Sequence, residues 1–254
     1  MADIIASRRS RRTRGWRFGL VTLAALLLAL STALLGRWQL ARAHEKEALQ
    51  AAIVRSAQLP ALDGAALAGE GGQALHRRVQ LRGQWLEGST IYLDNRQMQG
   101  RPGFYVFTAL RLADAPASTV LVQRGWIARD FLERTRLAPV HTPVGEVLVA
   151  GRTAGAPARL FELASTTQDS GASRIRQNLT LAAYGAELSL ALLPLTVVQE
   201  GAASDGLQRD WAASDSGVDK HYAYAFQWFG LSGLVTVLYV WFQLIRRFVR
   251  TGGR

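Results

Sequence analysis

Two stretches of this chain contain no charged residue and are longer than any ordinary buried helix needs to be. The first, FGLVTLAALLLALSTALLG, runs over 19 residues from Phe18 to Gly36. The second, YAYAFQWFGLSGLVTVLYVWFQLI, runs over 24 residues from Tyr222 to Ile245. Either spans roughly 30 Å of hydrocarbon as a helix, because only a helix satisfies its own backbone hydrogen bonds away from water. The architecture follows from their placement: two membrane helices near the two ends, with the 185 residues from 37 to 221 held between them.

The charge distribution orients this arrangement. A formal net charge of +11 suggests a nucleic-acid binder, but residues 1–17 hold six arginines against Asp3 and residues 246–254 hold four more. The remaining sequence is nearly neutral, so the chain is basic only in its two tails. Tails of that kind flanking apolar segments follow the positive-inside rule and belong on the cytoplasmic face. Residues 37–221 then lie across the membrane, in a periplasm or intermembrane space, and nucleic acid is not an expected partner. The organisation expected is a basic tail (1–17), a membrane helix (18–36), an extracytoplasmic domain (37–221), a second helix (222–245) and a basic tail (246–254). Aromatic residues agree: Trp16, Tyr239 and Trp241 fall near the inner interface, and Trp38, Tyr222 and Trp228 near the outer one. Ala41-Arg42-Ala43 resembles a signal cleavage site and the N-terminal arginine pairs a twin-arginine signal, but an apolar run of this length followed closely by Trp38 reads as an uncleaved anchor.

The central region reads as a β-rich α+β domain, an antiparallel sheet or partly open barrel. The helical pattern of the first span continues through Ala41, Ala48, Leu49, Ala52 and Ile53 and stops before Pro60. The following QLPALDGAALAGEGGQ reads as a loop. From Arg77 the apolar period changes to two: RRVQLRG, TIYLDN, FYVFTALRL, TVLVQRGWI, EVLVAGR and LLPLTVVQE read as strands separated by turns such as NRQMQGRPG. FYVFTALRL places Phe104, Val106, Thr108, Leu110 and Leu112 on one face, and Leu179 to Leu188 reads as a short helix. Residues 154–174 and 201–219 read as polar connectors. The absence of cysteine excludes a disulfide framework, thiolate metal sites and thiol redox chemistry.

Few residues have the right chemistry for a site. The sequence contains no GxSxG, Walker, HExxH or GxGxxG signature, and its scattered carboxylates Asp94, Asp130 and Asp210 fit turns and strand ends, so it is not expected to be an enzyme. Of four histidines, His44, His76 and His141 sit in polar surroundings, whereas His221 stands at the outer mouth of the second apolar helix with Ala225, Trp228 and Ser232 on the same helical face. Two readings of His221 remain open from position alone: an interfacial polar group among an aromatic belt, or a neutral imidazole ligand for haem iron in an aromatic-lined site, with Lys220 beside it for a propionate. Arg124-Gly125-Trp126 has a similar pair of readings, a strand end with a glycine bend and half-buried indole, or an anion or partner site.

Taken in order, GRWQLARAHEKEAL, RRVQLRGQW, LDNRQMQGRPGFYVFTALRL, VLVQRGWIARD, VAGR, DGLQRDW and KHYAYAFQWF resemble the surfeit locus protein 1 family, the cytochrome c oxidase assembly factors, from about Gly36 to Gln243. Ala109 and Ala128 stand where that family often carries proline, and the middle region is similar to a bacterial branch. The resemblance implies a protein of the bacterial inner membrane that binds haem a and assists its insertion into the catalytic subunit of the oxidase, alongside haem a synthesis and insertion factors. It implies His221 as the iron ligand, with Tyr222, Trp228 and Trp38 lining the macrocycle. Gly36, Gln39 and Leu40 also match the family motif at the first helix mouth, and Arg124, Gly125 and Trp126 match the central strand motif. The alternative is a membrane-anchored scaffold for nascent oxidase subunits that never holds haem, with Arg96, Arg101, Arg124 and Trp126 near one sheet edge as its partner surface.

Overall fold

The computed structural model describes residues 2–133, 136–160, 173–211 and 217–246, with side chains from Trp16 onward. The side chains of most arginines of the two basic tails, and parts of both polar connectors, lie outside what is described. The chain divides into a helical unit, residues 1–51 with 215–254, and a unit of residues 52–214.

The helical unit consists of α1 (Ala2–Gln58) and α4 (Val218–Tyr239), the latter continued by a π turn over Val240–Ile245. Both helices are long and apolar enough to cross a membrane. No break falls at Gly36: α1 runs straight through it. The less exposed positions of α1 recur as Thr22, Ala25, Ala29, Thr32, Gly36, Gln39 and Ala43, and those of α4 as His221, Ala225, Trp228, Ser232, Val235 and Tyr239. Alternating steps of three and four residues define one seam on each helix, the repeat that keeps two helices in continuous side-by-side contact. Apart from Gln39 the α1 seam is made of small residues, which allow close backbone approach. The pairing is antiparallel: Thr22 Oγ1 shares a 2.9 Å hydrogen bond with the Tyr239 hydroxyl, and Ser232 Oγ donates to the Ala29 carbonyl at 2.9 Å. A methyl group on Gly36 would come within 2.9 Å of the Phe229 ring, so the ring occupies the space a side chain would take.

The second unit is a closed barrel of five strands, β1 (Arg78–Trp85), β5 (Glu146–Ala154), β7 (Leu192–Gln199), β4 (Thr119–Ala128) and β3 (Arg101–Leu112). Closure depends on the length of β3. Its first half forms a hairpin with β2 (Ile91–Met98), while its last residues pair with β1, matching Leu110 to Trp85 and Leu112 to Gly83. The β2–β3 hairpin turns on Gln99 and Gly100, both at positive φ, the geometry of a two-residue hairpin loop. β6 (Ile175–Arg176) adds to β2.

Two expectations are corrected. The sheet is not wholly antiparallel, because β4 pairs with β7, and β2 with β6, in parallel. The stretch after Pro60 is not a plain loop: Asp63 caps α2 (Gly64–Glu70) by accepting from the Ala66 amide at 2.8 Å. Leu67 and Ala74 of this segment join Val79, Leu81, Leu110, Val122, Val149 and Val197 in the main core. A second cluster forms on the other face of the sheet, where Leu181 and Tyr184 of α3 (Leu181–Leu188) pack on Ile91, Leu93, Phe107, Ala109 and Leu121. Burial therefore alternates cleanly in β1 but is nearly continuous along β3 and β4.

Candidate functional site

Each of the two units concentrates sequence-motif residues in one place. In the β unit they make a buried clasp. At the β3–β4 pairing Val106 faces Gly125 and Phe107 faces Gln123, so Arg124 is the extra residue of a β-bulge. The bulge turns the Arg124 side chain into the interior, where it is fully buried. Its guanidinium stacks 4.7 Å from the centre of the Trp85 ring, and donates to Thr142 Oγ1 (2.8 Å), the His141 carbonyl (2.7 Å) and Asp205 Oδ2 (3.2 Å). Arg209 Nε donates to the Arg124 carbonyl at 2.7 Å, and its Nη2 stands 3.7 Å from the same Asp205 oxygen. Burial pushes the pKa of both guanidinium groups down from the ordinary arginine value, and the Asp205 carboxylate opposes that shift.

Trp126 is likewise fully buried, not half-buried, and its indole nitrogen donates to the Arg96 carbonyl at 2.9 Å. The Trp126 and Gln208 backbones exchange hydrogen bonds at 2.7 and 2.9 Å, and a Cβ on Gly125 would meet Leu207 at 2.6 Å. The segments VLVQRGWIARD and DGLQRDW are thus two halves of one internal joint. Arg96, Arg124 and Trp126 cannot form the exposed partner surface expected of a scaffold, and only Arg101 of that set is exposed. Nothing in the local pattern flagged Asp205 as the carboxylate shared by Arg124 and Arg209, beyond its four-residue spacing from Arg209.

In the helical unit, His221 lies in the first turn of α4 and is half-buried on the seam. Its Nδ1 stands 2.7 Å from Gln39 Oε1 of α1. Tyr222, the next residue, is 37% exposed, donates its hydroxyl to Glu47 Oε1 at 2.8 Å and meets the His44 ring edge-on at 6.4 Å between ring centres. Trp38 is 54% exposed. At 100° per residue it stands on the opposite side of Gln39 from Leu40, His44 and Glu47. The Gln39–His221 pair therefore has an exposed phenol on one flank and an exposed indole on the other. Trp228 is also on the seam but about 10 Å further along the axis. It lies beneath His221, in the layer where Phe229 meets Gly36. The helix pair brings together His221, Tyr222 and Gln39, with Trp38 and Trp228 at the margins. Gln39 matched the helix-mouth motif, but its contact with His221 required the fold. The register that places an amide among small seam residues is its sequence signal.

A half-buried imidazole on the seam of a helix pair long and apolar enough to cross a membrane, and in the second unit a five-stranded barrel held by an internal arginine joint, are the features these two units present. The sequence matches the SURF1 family over residues 26–233, and this chain belongs to that family, known broadly as oxidase assembly factors. It is 25% identical over 240 residues to a SURF1-like protein of Rickettsia bellii (strain RML369-C), covering 91% of this chain and 92% of that one. It is 26% identical over 230 residues to a SURF1-like protein of Rickettsia felis (strain ATCC VR-1525 / URRWXCal2), covering 87% and 94%. A SURF1-like protein of Rickettsia conorii (strain ATCC VR-613 / Malish 7) is 25% identical over 215 residues, covering 81% and 84%.

Proposed function

We propose that the protein carries haem a to the catalytic subunit of cytochrome c oxidase, holding it through His221 at the mouth of the helix pair. The observation that carries this reading is an imidazole seated on the seam between exposed aromatic flanks, Tyr222 and Trp38, at the end of two helices of membrane length. The residues fit such a cargo. Neutral imidazole is a good axial ligand for haem iron, and phenol and indole faces cover the apolar body of a macrocycle. Trp228 forms the apolar floor beneath the ligand.

On this reading both chain ends are cytoplasmic and residues 37–221 are periplasmic, in keeping with the arginines beyond each apolar run. Delivery requires that the haem leave again, so one neutral protein ligand in a partly open site suits the role better than a closed cage. The oxidase catalytic subunit is the recipient. The test is purification from cells that make haem a. The wild-type protein should show haem a with an imidazole-ligand spectrum, and His221→Ala should lose that signature while retaining capture of oxidase subunits. Equal haem a content and identical spectra in the two proteins would sink the assignment. A nearly silent His221→Ala, with subunit capture lost instead on substitution of the exposed Arg101, would favour the scaffold reading.

A further inference from the structure

We propose that Gln39 is a positioning residue that holds His221 in its Nδ1–H tautomer and so keeps Nε2 available as the ligand atom. The proposal rests on the haem-carrier reading and adds to it the group that prepares the ligand. A carboxamide oxygen only accepts, so at 2.7 Å from Gln39 Oε1 the His221 Nδ1 must carry the hydrogen. Neutral imidazole has one N–H, so the lone pair is left on Nε2. The partners sit on different helices, each within a regular turn, and the absent side chain at Gly36 lets Phe229 close the seam one turn from Gln39. The hydrogen bond is therefore set by helix packing. Histidine ligands of metals almost always donate their second ring nitrogen to a carboxylate, a carbonyl or water, which fixes ring orientation and raises basicity. An uncharged amide oxygen at this place orients the ring with little added negative charge, a combination that suits a cargo which must be released.

The test uses the full chain in detergent micelles, labelled with 15N-histidine, as wild type, Gln39→Leu and Gln39→Glu. In the haem-free wild type, His221 should show a protonated Nδ1 and a bare Nε2. Gln39→Leu should lose that single tautomer and bind haem a about 10–100-fold more weakly. Gln39→Glu keeps an acceptor at the same reach; it should restore the tautomer and the binding, and shift the reduction potential of the bound haem negative, which a purely structural glutamine would not do. A wild-type His221 protonated on Nε2 overturns the proposal, as does Gln39→Leu with unchanged tautomer and haem affinity. Haem a binding that survives His221→Ala overturns the carrier site itself and with it Gln39's role toward haem. In that case the tautomer measured without haem still decides whether the amide holds the ring, which separates the two failures.

Discussion

Replacing Asp205 by alanine should destabilise the barrel unit by removing the one carboxylate that, among the described residues, pairs with its fully buried Arg124. Breaking a buried ion pair by deleting one partner costs about 3–5 kcal/mol, because the other charge is left desolvated. Here the cost is smaller for two reasons. Asp205 is itself 21% exposed, and Arg124 keeps Thr142 Oγ1 and the His141 carbonyl as acceptors. A value of about 2–3 kcal/mol follows from that discount. With a urea dependence of about 2 kcal/mol per molar, the unfolding midpoint should fall by about 1–1.5 M with an unchanged slope. The assay is urea unfolding of the full chain in micelles, followed by the fluorescence of the indoles at Trp85, Trp126 and Trp211. Arg124→Met should also destabilise, and the double variant should fall short of the sum by about 1–2 kcal/mol, since the two residues share one contact. A midpoint for Asp205→Ala within about 0.3 M of wild type would refute the argument, because it would mean the buried guanidinium does not depend on that charge.

Two further outcomes follow from the packing. Tyr184 donates its hydroxyl to the Ser89 carbonyl at 2.7 Å, and burial pushes its pKa up to about 12. Because the folded pKa lies above the unfolded value near 10, the neutral phenol's full contribution is present below about pH 10 and is lost as pH rises through 12; unfolding free energies measured from pH 8 to 12 should decline by up to about 2 kcal/mol in wild type and by clearly less in Tyr184→Phe. In the helical unit, Gly36→Leu places carbon atoms where the Phe229 ring already stands, an overpacking cost of about 1–3 kcal/mol that should appear as a lower thermal midpoint in micelles and be relieved by adding Phe229→Ala. No recovery in that double variant would mean the two residues do not share the seam.

How much of this could be read in advance differed between segments. The two long apolar helices were legible because the lack of charge over 19 and 24 residues is a property of each segment by itself. β1 was legible because one of its faces is exposed, so Val79 and Leu81 alternate with polar neighbours. β3 and β4 were legible as strands, but not as strands covered on both faces, because α3 packs on the outer face from about 70 residues away in sequence. α2 was not legible because its composition, Gly and Ala with one leucine and one glutamate, is that of a connector; only the Asp63 cap distinguishes it. The parallel β4–β7 pairing and the barrel closure through Leu110–Leu112 depend on registers between distant segments, which no local period encodes.

The site divides along the same line. The sequence alone placed His221 at the start of a charge-free helix, a local fact of position that left two readings open, and the resemblance of its motifs implied the ligand role. It also confined the strong positive charge to the tails, so that the central domain could be understood as neutral. Only the tertiary structure decided that Arg124 and Trp126 are buried, since a bulge in β4 and the return of Asp205 and Arg209 determine which way those side chains face. The same holds for Gln39: an amide on α1 acquires a role only when helix packing brings it within 2.7 Å of an imidazole 182 residues later. Hydrophobicity and charge act where they are written, whereas a hydrogen bond between two helices exists only once both have been placed.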